Sequence, residues 1–137
     1  MDSLDLKFLI TGAAMFILGI GLGIFMAMTH DYRLAPVHAH TNLIGFVSLS
    51  LFGMAYKIYP QLQKRKLAKA HFFLSAPAAL MFPPGIVLAA LWQQPLLAVI
   101  ASLMWLAGAI VFLIQLIGLA GAGAGTQAQE PALVAAE

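Results

Sequence analysis

Four long hydrophobic runs, separated by short polar stretches, dominate the pattern of residues along this chain. They cover residues 8–29, 37–59, 70–92 and 95–119. Each run is long enough to cross the roughly 30 Å of hydrocarbon in a bilayer as an α-helix, because a helix rises about 1.5 Å per residue. The shorter alternating segments of a transmembrane β-barrel do not occur in the pattern. The sequence therefore predicts an all-α integral membrane protein, with a four-helix bundle over residues 1–120.

The composition agrees with a membrane location. Hydrophobic residues make up 62% of the chain and charged residues 9%, whereas roughly a quarter of the residues in soluble domains are charged. So few residues lie outside the four runs that any chemistry belongs within or just above the bilayer, which excludes a soluble enzyme. The chain has no cysteine, so disulfides, thiolate metal sites and iron–sulfur clusters are excluded as well.

The positive charges are unevenly placed between the runs. Lys64, Arg65, Lys66 and Lys69 crowd the loop between the second and third runs, whereas the loop between the first two offers Arg33. By the positive-inside rule the basic loop is cytoplasmic, so we predict a multi-pass protein of the cytoplasmic (inner) membrane with both termini inside. We interpret the lysine-rich cluster as a topology signal, and we expect no nucleic-acid partner.

Small residues predict how the first helix packs and where the bundle ends. Gly19 and Gly23 have the GxxxG spacing that lets membrane helices approach closely. Beyond the fourth run the composition turns to small and polar residues. Residues 121–137 are therefore predicted to form a disordered cytoplasmic tail.

The four histidines are the candidate chemistry of the chain. His30 ends the first run, His38 and His40 begin the second run on the same side of the membrane, and His71 begins the third run on the opposite side. Because the second span climbs about 30 Å, His71 cannot share a metal ion with His38 or His40. We expect His71 to be an interfacial residue among the lipid headgroups beside the basic loop.

His38 and His40 are predicted to point to opposite faces of one helix. Two positions along an α-helix turn a side chain by about 200°, so the two imidazoles cannot bind one metal ion. His40 heads a stripe of bulky apolar residues: Ile44, Val47, Leu51, Met54 and Ile58. His38 heads a smaller and more polar stripe: Asn42, Gly45, Leu49, Gly53 and Tyr56. The stripe of His38 suits contact with other helices, whereas the stripe of His40 would face lipid.

His40 is consequently predicted to be a polar group without a partner at the edge of the hydrocarbon, which is costly and usually functional. Haem would resolve this conflict, because imidazole is a common axial ligand of its iron and apolar side chains cover its macrocycle. Snorkelling towards the headgroups or a hydrogen bond between helices would also account for a histidine at this place.

The stretch HAHTNLIGFVSLSLFGMAYKIYP, residues 38–60, resembles the second helix of the catalytic subunit of the haem–copper oxidase superfamily, in its nitric oxide reductase and cbb3-type branches. The family pattern is a histidine, often followed by Thr-Asn-Leu, then glycines, a tyrosine and a proline. Here it is matched by His40, Thr41, Asn42, Leu43, Gly53, Tyr56 and Pro60. In the family the histidine at this place binds low-spin haem b near the outer face. The resemblance therefore implies haem b as the cofactor and His40 as a ligand of its iron.

The family's second haem and active-site metal are bound by later helices that have no counterpart in these 137 residues. We therefore do not expect one copy to be a complete oxidase or reductase. The family's helices form similar four-helix arcs, and in one arc a His-x-His pair binds two haems on its two sides, as His38-Ala39-His40 would. The resemblance thus implies an oligomer, with a homotrimer favoured, in which His40 of one chain and His38 of the next bind each haem. A dimer with two His40 ligands, or His30 as the second ligand, stays open.

Two further residues are predicted to contribute to cofactor binding. Arg33 lies in the loop where haem propionates would emerge and is a candidate for a charge-assisted hydrogen bond to them; it is equally a candidate to anchor the loop. Asn42 is expected either to hydrogen-bond a ligand imidazole or to bond one helix to another.

These features favour a b-type cytochrome that transfers electrons, because two histidines on one iron leave no open coordination position. With a single histidine, the open position would favour binding of a diatomic gas. Two alternatives have no haem: a structural or assembly subunit without a cofactor, and a copper protein that uses His30, His38 and Met28 of different chains. The redox partner is not indicated by the sequence.

Overall fold

The computed structural model describes the backbone of residues 3–134 and the side chains up to residue 121. All regular structure in this part of the chain is helical. Four of its helices are long and apolar enough to cross a membrane: α1 (Leu4–Thr29), α2 (Ala35–Ile58), α3 (Leu67–Trp92) and α4 (Leu96–Val134). The prediction of an all-helical chain with four potential membrane spans is confirmed.

Short connections join the helices into two packed pairs. α1 packs along α2, and α3 packs along α4. α1 and α3 both end at residues in the left-handed conformation, His30 with φ 53° and Gln93 with φ 56°, which is a common way to stop a helix. A helical turn, Pro60–Gln63, leads from α2 into the basic loop. We call the end of the bundle formed by residues 30–40 the histidine end, and the end formed by residues 60–69 the basic end.

Close contact between α1 and α2 depends on glycine. A Cβ atom added at Gly19 would lie 2.5 Å from Oδ1 of Asn42, and one added at Gly23 would lie 3.1 Å from Cε1 of His38. Both side chains of α2 thus occupy space that only glycine leaves open on α1. The GxxxG prediction of a close helix contact is confirmed.

The middle of α2, Thr41–Ser48, is a π-helix. The wider turn is visible in the hydroxyl of Ser48, which donates to the carbonyl oxygen of Leu43 five residues earlier at 2.8 Å. Buried positions then recur every four residues, at Thr41, Gly45 and Leu49. As a result Leu43 is 64% exposed, whereas Ile44 packs against the core.

The π-helix affects the two predicted stripes of α2 differently. The prediction that the residues below His40 face lipid is wrong at Ile44, which packs against the core. An α-helical wheel places Ile44 on the wrong face because it does not allow for the wider π-helical turn. The other members of the stripe below His40 are exposed as predicted: Val47, Leu51, Met54 and Ile58. The stripe below His38 is confirmed as a packing face, with four buried members: Gly45, Leu49, Gly53 and Tyr56.

The backbone of α4 extends to Val134. The sequence predicted a disordered cytoplasmic tail over residues 121–137, and this stays a prediction. Residues 135–137 lie outside the described part of the chain.

Gly85 lets α3 approach the backbone of α4. A Cβ atom added there would lie 2.8 Å from the nitrogen of Ala98 and 3.2 Å from the carbonyl carbon of Leu97. Backbone atoms cannot rotate away, so Gly85→Ala should push the helices apart and lower the free energy of unfolding by about 1–3 kcal/mol. The unfolding transition of the purified protein in detergent measures this change.

Gly21→Ala is the matched control, because nothing lies within 4 Å of a Cβ atom at that position. Its transition should stay in place or rise slightly, since alanine favours a helix more than glycine does. Equal transitions for the two variants would contradict the close contact between α3 and α4.

Candidate functional site

His38 and His40 lie on opposite sides of α2, as predicted. The ring of His38 lies against α1, with Nδ1 2.9 Å from the carbonyl oxygen of Gly19. The ring of His40 faces α3, with its centroid 5.8 Å from that of Phe82. The segment that carries both histidines, Ala35–His40, is α-helical, and the π-helix begins at the next residue. The rotation of about 200° between two positions of an α-helix therefore applies to His38 and His40.

The tautomer of His40 follows from its one hydrogen bond. Nδ1 lies 2.8 Å from the carbonyl oxygen of Pro36, and a carbonyl can only accept, so Nδ1 carries the proton and donates it. Nε2 keeps its lone pair, and no described residue forms a hydrogen bond with it. A metal-binding imidazole commonly has this arrangement, with its other nitrogen donating to a carbonyl oxygen.

His38 is held in the same tautomer, because its Nδ1 donates to the carbonyl oxygen of Gly19. The side-chain nitrogen of Asn42 donates to the carbonyl oxygen of His38 at 2.9 Å and lies 3.5 Å from Nε2 of its ring. Asn42 therefore lies beside the imidazole, but its amide nitrogen faces Nε2 and not the proton on Nδ1, so its role as the partner of a ligand imidazole stays a prediction. Asn42 also packs against Gly19 of α1, but its hydrogen bonds among the described residues stay within α2, so the predicted hydrogen bond between helices is not seen.

Arg33 forms an ion pair with Asp31 at the surface of the histidine end. Its Nη2 lies 2.6 Å from Oδ2 of Asp31, and its Nε donates to both carboxylate oxygens at 3.0 Å. Donation by the Arg33 guanidinium holds the pKa of the Asp31 carboxyl below its ordinary value. The pair lies within the loop and supports the loop-anchoring role of Arg33, while its contact with a haem propionate stays a prediction.

Within one copy of the chain, the described residues contain no group of three or more histidine, cysteine or acidic side chains that could hold a metal ion. The divergence of His38 and His40 accounts for this result on α2. A metal that needs three such ligands at this end would therefore take them from more than one chain.

His71 is fully buried, so the expectation of a place among lipid headgroups is wrong. Its relative exposure is 0%. Three aromatic rings enclose it, with centroid distances of 5.1 Å to Phe8, 4.6 Å to Phe52 and 5.0 Å to Phe112. His71 lies one turn after the start of α3 at Leu67, and its face of the helix turns towards the other helices. Depth alone did not indicate which way the side chain points.

A chain of hydrogen bonds joins three helices through Tyr56. The hydroxyl oxygen of Tyr56 on α2 lies 3.0 Å from Nδ1 of His71 on α3. The same hydroxyl oxygen accepts a hydrogen bond from Nε2 of Gln115 on α4 at 3.0 Å. All three side chains are fully buried. Sequence reasoning missed this network, although three polar residues in separate apolar runs at one depth are a signal for it.

Comparisons with protein-family models, with curated proteins and with solved structures find no match to this chain. The resemblance of residues 38–60 to the haem–copper oxidase superfamily therefore rests on those residues alone. Membership of that family stays a prediction.

The hydroxyl of Tyr56 is expected to stabilise the bundle. Tyr56→Phe keeps the ring that stacks on Phe8, but it leaves Nδ1 of His71 and Nε2 of Gln115 without their partner. A buried polar group without a partner costs about 1–3 kcal/mol, so the free energy of unfolding should fall by at least that order. Unfolding in detergent, followed by circular dichroism, measures the loss.

Tyr59→Phe is the matched control, because Tyr59 is 45% exposed and its hydroxyl has no hydrogen-bond partner among the described residues. Its transition should match that of the unmodified protein. A Tyr56→Phe variant as stable as this control would show that the buried network contributes nothing to stability.

Proposed function

We propose that this chain is a membrane b-type cytochrome, in which Nε2 of His40 binds the iron of haem b and the protein transfers electrons. The proposal rests on the burial and the hydrogen bonding of the His40 imidazole. The imidazole is half-buried on an apolar helix, its Nδ1 proton is engaged by the carbonyl oxygen of Pro36, and its Nε2 has no partner among the described residues. Such a nitrogen is costly at the edge of the hydrocarbon unless a ligand uses it.

The surroundings of His40 suit a large apolar cofactor. The ring of Phe82 stacks beside the imidazole at an interplanar angle of 28°. The exposed apolar stripe of α2 continues from Leu43 to Val47 and Leu51. The π-helix that sets this stripe begins next to His40, and such segments occur frequently at functional sites. Haem supplies a one-electron couple between ferric and ferrous iron.

The second axial ligand is proposed to be His38 of a neighbouring copy in a homotrimer. His38 has the same tautomer as His40 and lies on the other side of α2. Each copy can therefore offer one histidine to each of two haems, and a closed ring of copies uses both histidines of every chain. The competing arrangements are a dimer with His40 from each copy, and one haem bound by His40 and His30. If His40 is the single ligand, the open position favours a diatomic gas.

A structural or assembly subunit without a cofactor is the second candidate. It is favoured by one observation, which is that His38 on α2 donates through Nδ1 to the carbonyl oxygen of Gly19 on α1 and so joins two helices without a cofactor. This candidate predicts a colourless purified protein. The copper alternative predicts bound copper without a Soret band, so an optical spectrum and a metal analysis separate all three.

The purified protein, reconstituted with haem in detergent, should show the Soret band of low-spin haem b and sharp visible bands on reduction. His40→Ala should lose the low-spin spectrum, because it removes the ligand whose Nε2 has no hydrogen-bond partner among the described residues. His38→Ala should keep haem but change it to a high-spin form, since the shared second ligand is removed. His30→Ala should leave the spectrum unchanged, because His30 is exposed and takes no part in the trimer.

Three other spectra would each contradict one part of the proposal. Absence of a Soret band in the unmodified protein contradicts haem binding. An unchanged low-spin spectrum in His38→Ala excludes the shared-ligand trimer. Loss of the low-spin form in His30→Ala makes His30 the second ligand.

The protein is also proposed to lie in the cytoplasmic membrane with the basic end, and hence both termini, in the cytoplasm. Three lysines are exposed at the basic end: Lys64, Lys66 and Lys69. At the histidine end the charge of Arg33 is balanced by Asp31. Positive charge in short loops is retained on the cytoplasmic side, which supports this orientation.

Single cysteines test the orientation, because the chain has no cysteine of its own. Gln94→Cys at the histidine end should react in intact cells with a maleimide that cannot cross the membrane. Gln61→Cys at the basic end should react only after the membrane is opened. Both positions are exposed, so the reverse pattern of labelling would contradict the proposed orientation.

A further inference from the structure

Three buried polar atoms on α3 and α4 have no partner among the described residues. They are Nε2 of His71, Oγ of Ser75 and Oε1 of Gln115, and all three side chains are at most 1% exposed. His71 and Ser75 are one turn apart on α3. On α4, Gly108 abuts Oγ of Ser75, and Phe112, one turn further on, stacks on the ring of His71. His71 and Ser75 therefore lie at the contact between α3 and α4, and Gln115 follows Phe112 on α4 by about one turn.

The hydrogen bonds of Tyr56 assign the proton of His71. The side-chain nitrogen of Gln115 can only donate, so the hydroxyl oxygen of Tyr56 accepts from it, and the Tyr56 proton is directed at Nδ1 of His71. His71 then carries its own proton on Nε2. The reverse assignment, with Nδ1 donating to Tyr56, would leave the hydroxyl proton of Tyr56 without an acceptor as well. Nε2 of His71 is thus a buried donor, and the oxygens of Ser75 and Gln115 are buried acceptors.

We propose that His71 donates through Nε2 to a buried water molecule, which in turn donates to Oγ of Ser75 or to Oε1 of Gln115. A buried donor and buried acceptors that lack partners lower stability, and internal water occupies places where two to four such groups converge. With the water bound, the chain of donors runs from Gln115 through Tyr56 and His71 to the water.

This water site is independent of haem binding, because it lies at the opposite end of the bundle from His40. Leu62 and Ala68, which are both 0% exposed, belong to the same core at the basic end. The water is therefore enclosed, and it exchanges with bulk solvent only when the bundle opens locally.

Solid-state NMR of the full chain in lipid bilayers, with ¹⁵N-labelled histidine, tests the proposal. The ring of His71 should be neutral and protonated at Nε2, and that proton should show a cross-peak to water. The cross-peak should persist for hours after transfer to D₂O, whereas ring protons of the exposed His30 should exchange at once. A His71→Gln variant identifies the signal.

Two substitutions identify the acceptor. Either Ser75→Ala or Gln115→Leu should abolish or shift the water cross-peak. Ser102→Ala is the matched control and should leave it unchanged, because Ser102 is exposed and donates to the carbonyl oxygen of Ala98.

Three results would overturn the proposal. They are a His71 ring protonated at Nδ1, an Nε2 proton without a cross-peak to water, and a cross-peak that is unchanged in both Ser75→Ala and Gln115→Leu. The first two are decided on the unmodified protein, so a variant that fails to fold does not prevent a decision.

Discussion

Polar groups inside a membrane must find their partners within the protein, because the hydrocarbon offers none, and this constraint organises the bundle. At the histidine end, His38 and His40 each donate to a backbone carbonyl oxygen. At the basic end, Tyr56 joins His71 to Gln115 and so connects three helices. The apolar surface supplies the rest of the packing, with glycines where two helices come closest.

The two ends show how one chemical group takes different roles in different surroundings. His40 and His71 both have an Nε2 atom without a partner among the described residues. In His40 this atom has a lone pair and lies in a half-buried ring beside an exposed apolar stripe, so a large cofactor or another chain can approach it. In His71 it carries a proton and is enclosed by aromatic rings, so only a molecule as small as water suits it. Tautomer and enclosure distinguish the two proposed roles.

Much of the candidate site was predictable because it depends on local geometry. The lengths of the apolar runs predicted the spans, and the 3.6-residue turn predicted that His38 and His40 diverge. The GxxxG spacing predicted the close contact of Gly19 and Gly23 with α2. The stripe below His40 was predicted only in part, since Ile44 turns to the core where the helix widens at Thr41–Ser48. Haem, the trimer and the orientation depend on partners outside one chain and stay predictions.

The sequence by itself determined the membrane class, the number of spans and the faces of α2 next to its histidines, because hydrophobic length and helical period are properties of consecutive residues. Only the tertiary structure decided the π-helical register of α2, the burial of His71 and its connection to Tyr56 and Gln115. Tyr56 is 15 residues from His71 and 59 from Gln115 along the chain. Equal depth in three apolar runs indicates that these side chains lie at one level of the bundle. Which of them meet is decided by how the helices rotate and pack against one another, and no local pattern encodes that rotation.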